Sequence, residues 1–424
     1  MTTIRANDPH RKSFIAVPSD SDFPIQNLPF GVADIAGEHR VVSALGDQVV
    51  DLLALLEMGA LQHEKLKADH FRQSSINAFM ALGKAVTRDI RNQLSDALLE
   101  GSKHADQADK FLHAMAKIDL KLPVDVGDYT DFYSSKEHAT NVGTMFRDPD
   151  NALLPNWRHL PVGYHGRASS IVVSGTPIHR PVGQTKPDPE KPPVFGPCKL
   201  MDFELEMAFV VGQSTELGQR ISTKKAEEYI FGLTLFNDWS ARDIQKWEYV
   251  PLGPFLAKSF ASTITPWIVT LDALKPFRTE SPKQEPKVLP YLRSEGKKNF
   301  DLELSARLEA ENGATADLCH TNFKYMYWNM SQQLAHHTVN GCNFNVGDMC
   351  ASGTISGKDR SAFGSMLEIS WKGTQPVKLS DGSERKFLAD GDTLQMRGFG
   401  RGDGYRIGFG PCDGKVLPAR EFDL

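Results

Sequence analysis

Phe203-Glu204-Leu205-Glu206-Met207-Ala208-Phe209-Val210-Val211 reads as a β-strand. Alternation places Phe203, Leu205 and Met207 on one face and Glu204, Glu206 and Ala208 on the other. Two carboxylates on one strand face repel each other unless solvent or a cation absorbs the charge. A solvated edge strand is one solution; the wall of a polar cavity is the other. The residues that follow favour the cavity. An apolar run leads into Asn237-Asp238-Trp239-Ser240-Ala241-Arg242-Asp243-Ile244-Gln245, so a third carboxylate arrives beside an arginine and a glutamine, with Tyr249 and Lys258-Ser259-Phe260 beyond.

Outward from this stretch, the chain divides near Leu122-Pro123-Val124 into residues 1–122 and 123–424. The first part reads as a small domain of strands and helices. A strand is expected at 13–17, and a hairpin joins 41–45 to 48–52 through Gly46-Asp47. The pattern turns helical over 51–61 and again over 87–99, where Ile90, Leu94, Ala97 and Leu98 share a side. His39, His63 and His70 read as surface residues. The second part is rich in glycine, proline and short apolar runs, which marks a mainly β architecture rather than a βαβ repeat. Strands are expected near 170–173, 203–211, 232–236, 264–271, 301–308, 349–352, 366–371 and 405–409, and helices near 222–230, 240–247 and 321–336. The segment 279–290 reads as an exposed loop. Gly400-Arg401-Gly402-Asp403-Gly404 lacks the amphipathic helix that a phosphate loop requires, so it reads as a turn.

Composition narrows the function. A net charge of -5 over 424 residues argues against a nucleic-acid surface, which carries a basic stripe. No apolar run approaches a bilayer span, and Arg5, Asp8, Arg11 and Lys12 leave no room for the apolar core of a signal peptide, so no membrane partner is expected. Cys198, Cys319, Cys342, Cys350 and Cys412 are scattered and form neither a disulfide framework nor a zinc motif. Free thiols in a cytoplasmic protein are the expectation.

Three further clusters carry chemistry. Asp128-Tyr129-Thr130-Asp131-Phe132-Tyr133-Ser134-Ser135-Lys136-Glu137-His138 is dense in ligating and proton-transferring side chains, although a polar turn with a capping Asp has the same composition. His138 is a candidate base because imidazole alone titrates near neutrality without a large shift. Arg147 and the segment 160–170, with Tyr164, offer cations and a phenol; Arg suits a bound carboxylate, and Tyr164 reads equally as a packed aromatic. Asp131, Glu204, Glu206 and Asp238 are hard oxygen donors without thiolates or imidazoles, a set that favours calcium or magnesium over zinc. Arg242 and Gln245 share a helix face and, with Lys258, can surround an oxyanion; alternatively Arg242 pairs with Asp238 along the helix. Glu368 lies in an apolar strand pattern, where a buried carboxylate needs a partner such as a histidine. His336 and His337 read as structural or capping residues.

At these motifs the chain resembles the fumarylacetoacetate hydrolase family, essentially from end to end. The resemblance rests on Ser19-Asp20-Ser21-Asp22-Phe23-Pro24-Ile25-Gln26-Asn27-Leu28-Pro29, Gly127-Asp128-Tyr129-Thr130-Asp131-Phe132-Tyr133-Ser134-Ser135, the Asn237–Gln245 segment, Pro251-Leu252-Gly253-Pro254-Phe255-Leu256 and Ala351-Ser352-Gly353-Thr354-Ile355-Ser356-Gly357. It implies a small N-terminal SH3-like barrel domain followed by a large β-roll domain, assembled as a homodimer. It implies Ca2+ or Mg2+ on Asp131, Glu204, Glu206 and Asp238, with a second ion or structural-ion site at Asp238, Lys258 and Ser262. His138 would be the base, oriented by Glu368; Arg242, Gln245 and Lys258 would stabilise the oxyanion; Tyr133, Arg147, Tyr164, Gln245, Tyr249 and Thr354 would contact substrate. The implied reaction is hydrolysis of 4-fumarylacetoacetate to fumarate and acetoacetate. An acylpyruvate hydrolase or β-keto acid decarboxylase of the same superfamily is the alternative, and a metal-stabilised scaffold the remote one. Where the family typically reads Lys-Ser-Phe-Gly-Thr, this chain has Lys258-Ser259-Phe260-Ala261-Ser262, which is harmless unless the backbone at Ala261 has positive φ or closely approaches the metal.

Overall fold

The computed structural model describes residues 4–421. Its main feature is a sheet of 13 strands whose central path crosses both parts of the chain. From one end the order is Leu112–Ala114, Gln48–Asp51, Glu38–Leu45, Phe30–Ile35, Trp267–Thr270, Ile230–Asp238, Leu205–Val211, Met349–Ala351, Tyr129–Phe132 and Gly163–His165. The two parts join where Phe30 pairs with Ile268 and Gly31 with Trp267. A Cβ on Gly31 would lie 2.5 Å from the Pro266 carbonyl oxygen and 2.7 Å from the Trp267 ring, so this seam closes only around glycine. A six-stranded sheet, including Glu303–Glu309, Thr315–Asn322, Thr393–Arg401 and Cys412–Leu417, packs its alternate residues into the larger core. The architecture is a strand-dominated α/β mixture of an N-terminal and a C-terminal part. Among the described residues no ladder closes the N-terminal strands into a barrel or the large sheet into a roll. No helix among them is long and apolar enough to cross a membrane.

Leu205–Val211 is no edge strand. It pairs with Ile230–Asp238 on one side and Met349–Ala351 on the other, and every residue in it is buried. The solvated reading of the two glutamates is therefore overturned. The 41–52 hairpin forms with Leu45 opposite Gln48, and the helix expected at 87–99 spans Lys84–Ala97.

Other expectations move. The helix placed at 321–336 begins as the end of strand Thr315–Asn322; helix proper runs Met330–Thr338, started by a reciprocal Asn329–Gln332 capping box that sets its true N-terminus. The strand expected at 366–371 is instead the helical turn Met366–Ile369, whose N-cap is the Ser365 hydroxyl and which stops where Trp371 and Lys372 take positive φ. Such a short apolar run has no period that separates strand from buried helix. The strand at 264–271 is interrupted into Ser262–Ile264 and Trp267–Thr270, the helix at 222–230 shrinks to Ala226–Tyr229, that at 51–61 to Leu52–Glu57, and 13–17 makes only the bridge Ser13–Leu99.

Candidate active site and metal centre

Three strands, and the residue leading into one of them, deliver the carboxylates. Asp131 sits on Tyr129–Phe132 opposite Tyr164, Glu206 on Leu205–Val211 opposite Phe236, and Asp238 at the end of Ile230–Asp238 opposite Ser262. Glu204, just before its strand, bridges to Ser365. Ligand atoms of all four lie within 4.8 Å of one another, and all four residues are buried. Gly353 donates its N–H to Glu206 Oε2 at 2.9 Å from a backbone at φ +76°, and a Cβ there would lie 2.2 Å from the Phe132 carbonyl oxygen. The Tyr129 hydroxyl lies 3.0 Å from Asp131 Oδ2, and the Tyr164 hydroxyl 3.0 Å from Asp131 Oδ2 and 2.8 Å from Asp238 Oδ2. Tyr164 is thus a hydrogen-bonding member of the site as well as a packed ring.

Two cations enter this cluster. Lys258 Nζ stands 2.5 Å from Glu204 Oε2 and 2.6 Å from Asp238 Oδ2. Arg242 places Nη2 2.8 Å from Glu204 Oε1, Nε 2.7 Å from Asp202 Oδ2 and Nη1 3.2 Å from Gln245 Oε1. The pairing of Arg242 with Asp238 along the helix does not form. Burial pushes Glu204 up, but Lys258 and Arg242 outweigh it and hold that carboxyl well below its ordinary range. Asp131 and Glu206 lack such partners: burial, reinforced by the neighbouring carboxylates, drives both well above the usual carboxylate range. Asp131 Oδ1 and Glu206 Oε1 are buried and accept no hydrogen bond. Unpaired, converging, hard oxygen acceptors with net negative charge are what a calcium or magnesium ion satisfies. The residues present fit a divalent cation.

His138 is linked to this cluster through Glu368 and Ser365: Glu204 bridges to Ser365, whose hydroxyl donates to Glu368 Oε2. His138 occupies the first turn of helix Lys136–Phe146, whose N-cap is Ser135 rather than an Asp. Its Nδ1 is 2.7 Å from Glu368 Oε2, and both side chains are buried. Glu368 is fully committed: Asn141 Nδ2 donates to Oε1 at 2.8 Å, and the Ser356 and Ser365 hydroxyls each donate to Oε2 at 2.9 Å. Burial raises this carboxyl, yet the charge of His138 and these hydrogen bonds bring it below its ordinary value. An ionised Glu368 fixes the proton of His138 on Nδ1 and leaves Nε2 as the free acceptor.

The remaining expected residues fall into two groups. Tyr133 is half-buried and stacks edge-to-face on His138, at 5.2 Å between ring centroids, and desolvation pushes its phenol up. Thr354 is buried with its hydroxyl unpartnered. Ser262 Oγ lies 3.4 Å from Asp238 Oδ1, so Asp238, Lys258 and Ser262 do meet, and Ala261 is buried without positive φ. Arg147 and Tyr249 form no direct bond to the carboxylates. Arg147 is exposed and donates to the Ala152 carbonyl, and Tyr249 opens an exposed apolar segment with Val250, Leu252, Phe255 and Leu256. The sequence reading does not include Tyr129, Asn141, Ser356, Ser365 or Asp202 among the site residues. Asp202 had a signal, since the same alternation that groups Glu204 with Glu206 adds Asp202 to their face. His336 and His337 stay outside the site, bonded to Tyr291 and Thr130.

Comparison with known proteins places the chain in a family. A family model described as fumarylacetoacetate (FAA) hydrolase C-terminal matches residues 128–417, and one described as fumarylacetoacetase N-terminal matches residues 26–123. The chain is 56% identical over 415 residues to fumarylacetoacetase of Homo sapiens, covering 96% of this chain and 99% of that protein. Identity to fumarylacetoacetase of Caenorhabditis elegans is 52% and to that of Arabidopsis thaliana 50%, each covering 96% of this chain and 99% of the relative. Among solved structures, 5-carboxymethyl-2-hydroxymuconate delta-isomerase from Mycobacterium smegmatis is similar at TM-score 0.50 and 15% identity, covering 93% of this chain and all of that one. Maleylpyruvate hydrolase from Sphingobium is similar at TM-score 0.50 and 13% identity, covering 92% of this chain and all of that one. These two likenesses speak to fold alone.

Proposed function

The chain belongs to the fumarylacetoacetate hydrolase family, and we propose that it hydrolyses 4-fumarylacetoacetate to fumarate and acetoacetate, the last step of tyrosine and phenylalanine breakdown. The observation that carries this reading is the buried His138–Glu368 pair set beside four converging carboxylates. Asp131, Glu204, Glu206 and Asp238 would hold a calcium or magnesium ion, which supplies Lewis acidity at the diketone oxygens. His138 Nε2 takes a proton from water, and the resulting hydroxide attacks the C4 carbonyl. Arg242 offers its Nη edge, Gln245 its amide, and Lys258 the one ammonium N–H not engaged by Glu204 or Asp238; together they receive the oxyanion charge. As the tetrahedral centre collapses, the carbon–carbon bond breaks, its electron pair leaves with the acetoacetate fragment, and His138 returns the proton to that carbon.

Tyr133, Tyr164 and Thr354 would supply the inner wall of the substrate pocket, and Arg147 and Tyr249 its exposed rim. A homodimer in the cytoplasm is supported by the exposed apolar run from Tyr249 to Leu256 and by five free thiols.

The test follows fumarylacetoacetate consumption by wild type and His138→Ala, with and without chelator. Loss of the base is expected to cost about 10²–10⁴-fold. Full activity in the variant overturns the base, rapid turnover after metal removal overturns the metal, and strong preference for an acylpyruvate moves the substrate to the neighbouring class.

A further inference from the structure

The two halves of the proposed machinery, the oxyanion cations and the base pair, come from distant parts of the chain. Arg242 follows strand Ser240–Ala241, and Glu368 lies on the turn Met366–Ile369. One fully buried side chain bonds both Arg242 and the turn that carries Glu368. Asp202, on the two-residue strand Met201–Asp202, pairs with Ser240 in register. Its Oδ2 accepts from Arg242 Nε at 2.7 Å and from the Leu367 N–H at 3.0 Å. Its Oδ1 accepts from the Phe203 N–H at 2.8 Å and the Met366 N–H at 2.7 Å. We propose that Asp202 is a positioning residue that sets Arg242 and Glu368 in mutual register, so that the oxyanion donors and the oriented base address one substrate carbonyl.

The geometry distinguishes this role from a general staple. The guanidinium has one Nε edge and one Nη edge. Asp202 takes Nε, which turns Nη1 and Nη2 toward Gln245 and Glu204, the side on which the carboxylates converge. The same oxygen holds the N–H of Leu367, the residue next to Glu368, and Oδ1 holds Met366 before it. Glu368 then reaches His138 through Oε2 at 2.7 Å. A carboxylate with four donors has no freedom to relax, and a shift at either partner is passed to the other. Misplacement by a fraction of an ångström in such an arrangement weakens transition-state contacts more than ground-state binding.

This inference rests on the proposed reading of Arg242, and its test separates the two. Asp202→Asn keeps the shape but replaces one acceptor with a donor that opposes Arg242 Nε or a backbone N–H. Steady-state kinetics on folded, metal-loaded enzyme should show kcat reduced by about 30-fold or more with KM within about threefold. In an Arg242→Ala background the same change should cost less than it does alone, because residues acting as a unit are not additive. Guanidine added to Arg242→Ala should restore part of kcat, and the restoration should be lost when Asp202→Asn is also present. If Asp202→Asn does not fold, Asp202→Glu, which keeps the charge and displaces the oxygens by one methylene, should show the same loss in kcat. Wild-type kcat in the folded Asp202 variant, or losses that simply multiply with Arg242→Ala, overturns the positioning role. A fully active Arg242→Ala enzyme overturns the oxyanion reading instead.

Discussion

At the candidate active site, four buried carboxylates meet Lys258 and Arg242. At the junction between helix Lys84–Ala97 and the C-terminal part, Lys84, Arg88 and Arg91 are buried or largely buried around Asp272. Both regions pack charge into the interior, but the balance is reversed. At the junction every cation finds an acceptor: Lys84 Nζ donates to the Glu227 carbonyl at 2.6 Å, Arg88 holds both Asp272 oxygens at 2.5 and 2.9 Å, and Arg91 donates to Asn7, Gln26 and Asn27. At the site, oxygens of Asp131 and Glu206 are left without donors. A satisfied set of buried charges locks two elements together; an unsatisfied one of a single sign waits for a counter-ion. Charge density alone does not separate a lock from a binding site, whereas the donor–acceptor balance does.

The sharpest way to break this comparison is to remove Asp272. Asp272→Ala should cost about 3–5 kcal/mol in denaturant unfolding, because Arg88 is left buried and unpaired, while kcat of the folded fraction stays at the wild-type value. An unchanged midpoint would show that the junction is not a lock. Next, calcium at about 100 times its Kd should stabilise metal-free protein by about 2.7 kcal/mol, read as a rise in Tm. Glu206→Gln should abolish that rise and leave the metal-free protein no less stable, since it removes one repelling charge. A calcium response that survives the substitution removes Glu206 from the ligand set.

The third test uses pH. Burial lowers Lys84 to about 8, against the attraction of Asp272 and Glu227. The unfolded chain therefore binds more protons than the folded one between that value and the ordinary lysine range, so this group's contribution to stability rises with pH through the window. Relative to Lys84→Met, wild type should gain about 1–3 kcal/mol from pH 8 to pH 10.5, measured by urea unfolding at each pH; a flat difference would place Lys84 in water. The smallest effect belongs to Ala261→Gly. With no positive φ to relieve, it should lower stability by about 0.5–1 kcal/mol and leave calcium affinity within about twofold; a large gain in affinity would show that the methyl group crowds the ion.

Much of the site was legible because its residues are marked in local sequence. Glu204 and Glu206 alternate with apolar neighbours, and Asp238, Arg242 and Gln245 follow a buried run. His138 stood out as the group that titrates near neutrality. Glu368 was paired with a histidine on the correct argument, that a buried carboxylate needs a partner, although its segment is a helical turn and not a strand. Asp202 escaped because its partners at Met366 and Leu367 lie 164 and 165 positions away, and only the folded chain shows them. The 321–336 segment misled for the opposite reason. Its apolar residues serve first a strand and then a helix, and the break is set by Asn329 rather than by a change of hydropathy.

The seam at Gly31 and Trp267 gives the N-terminal part a task beyond its own stability. Trp267–Thr270 lies beside Ile230–Asp238, the strand that ends in Asp238. Phe30–Ile35 covers part of its outer flank. Without that neighbour, the sheet that holds Asp238 would end in bare amides at Trp267 and Ile268, a template for any passing strand. The N-terminal part thus acts as an internal guard: it occupies the place where another chain could graft itself onto the sheet that carries the reaction.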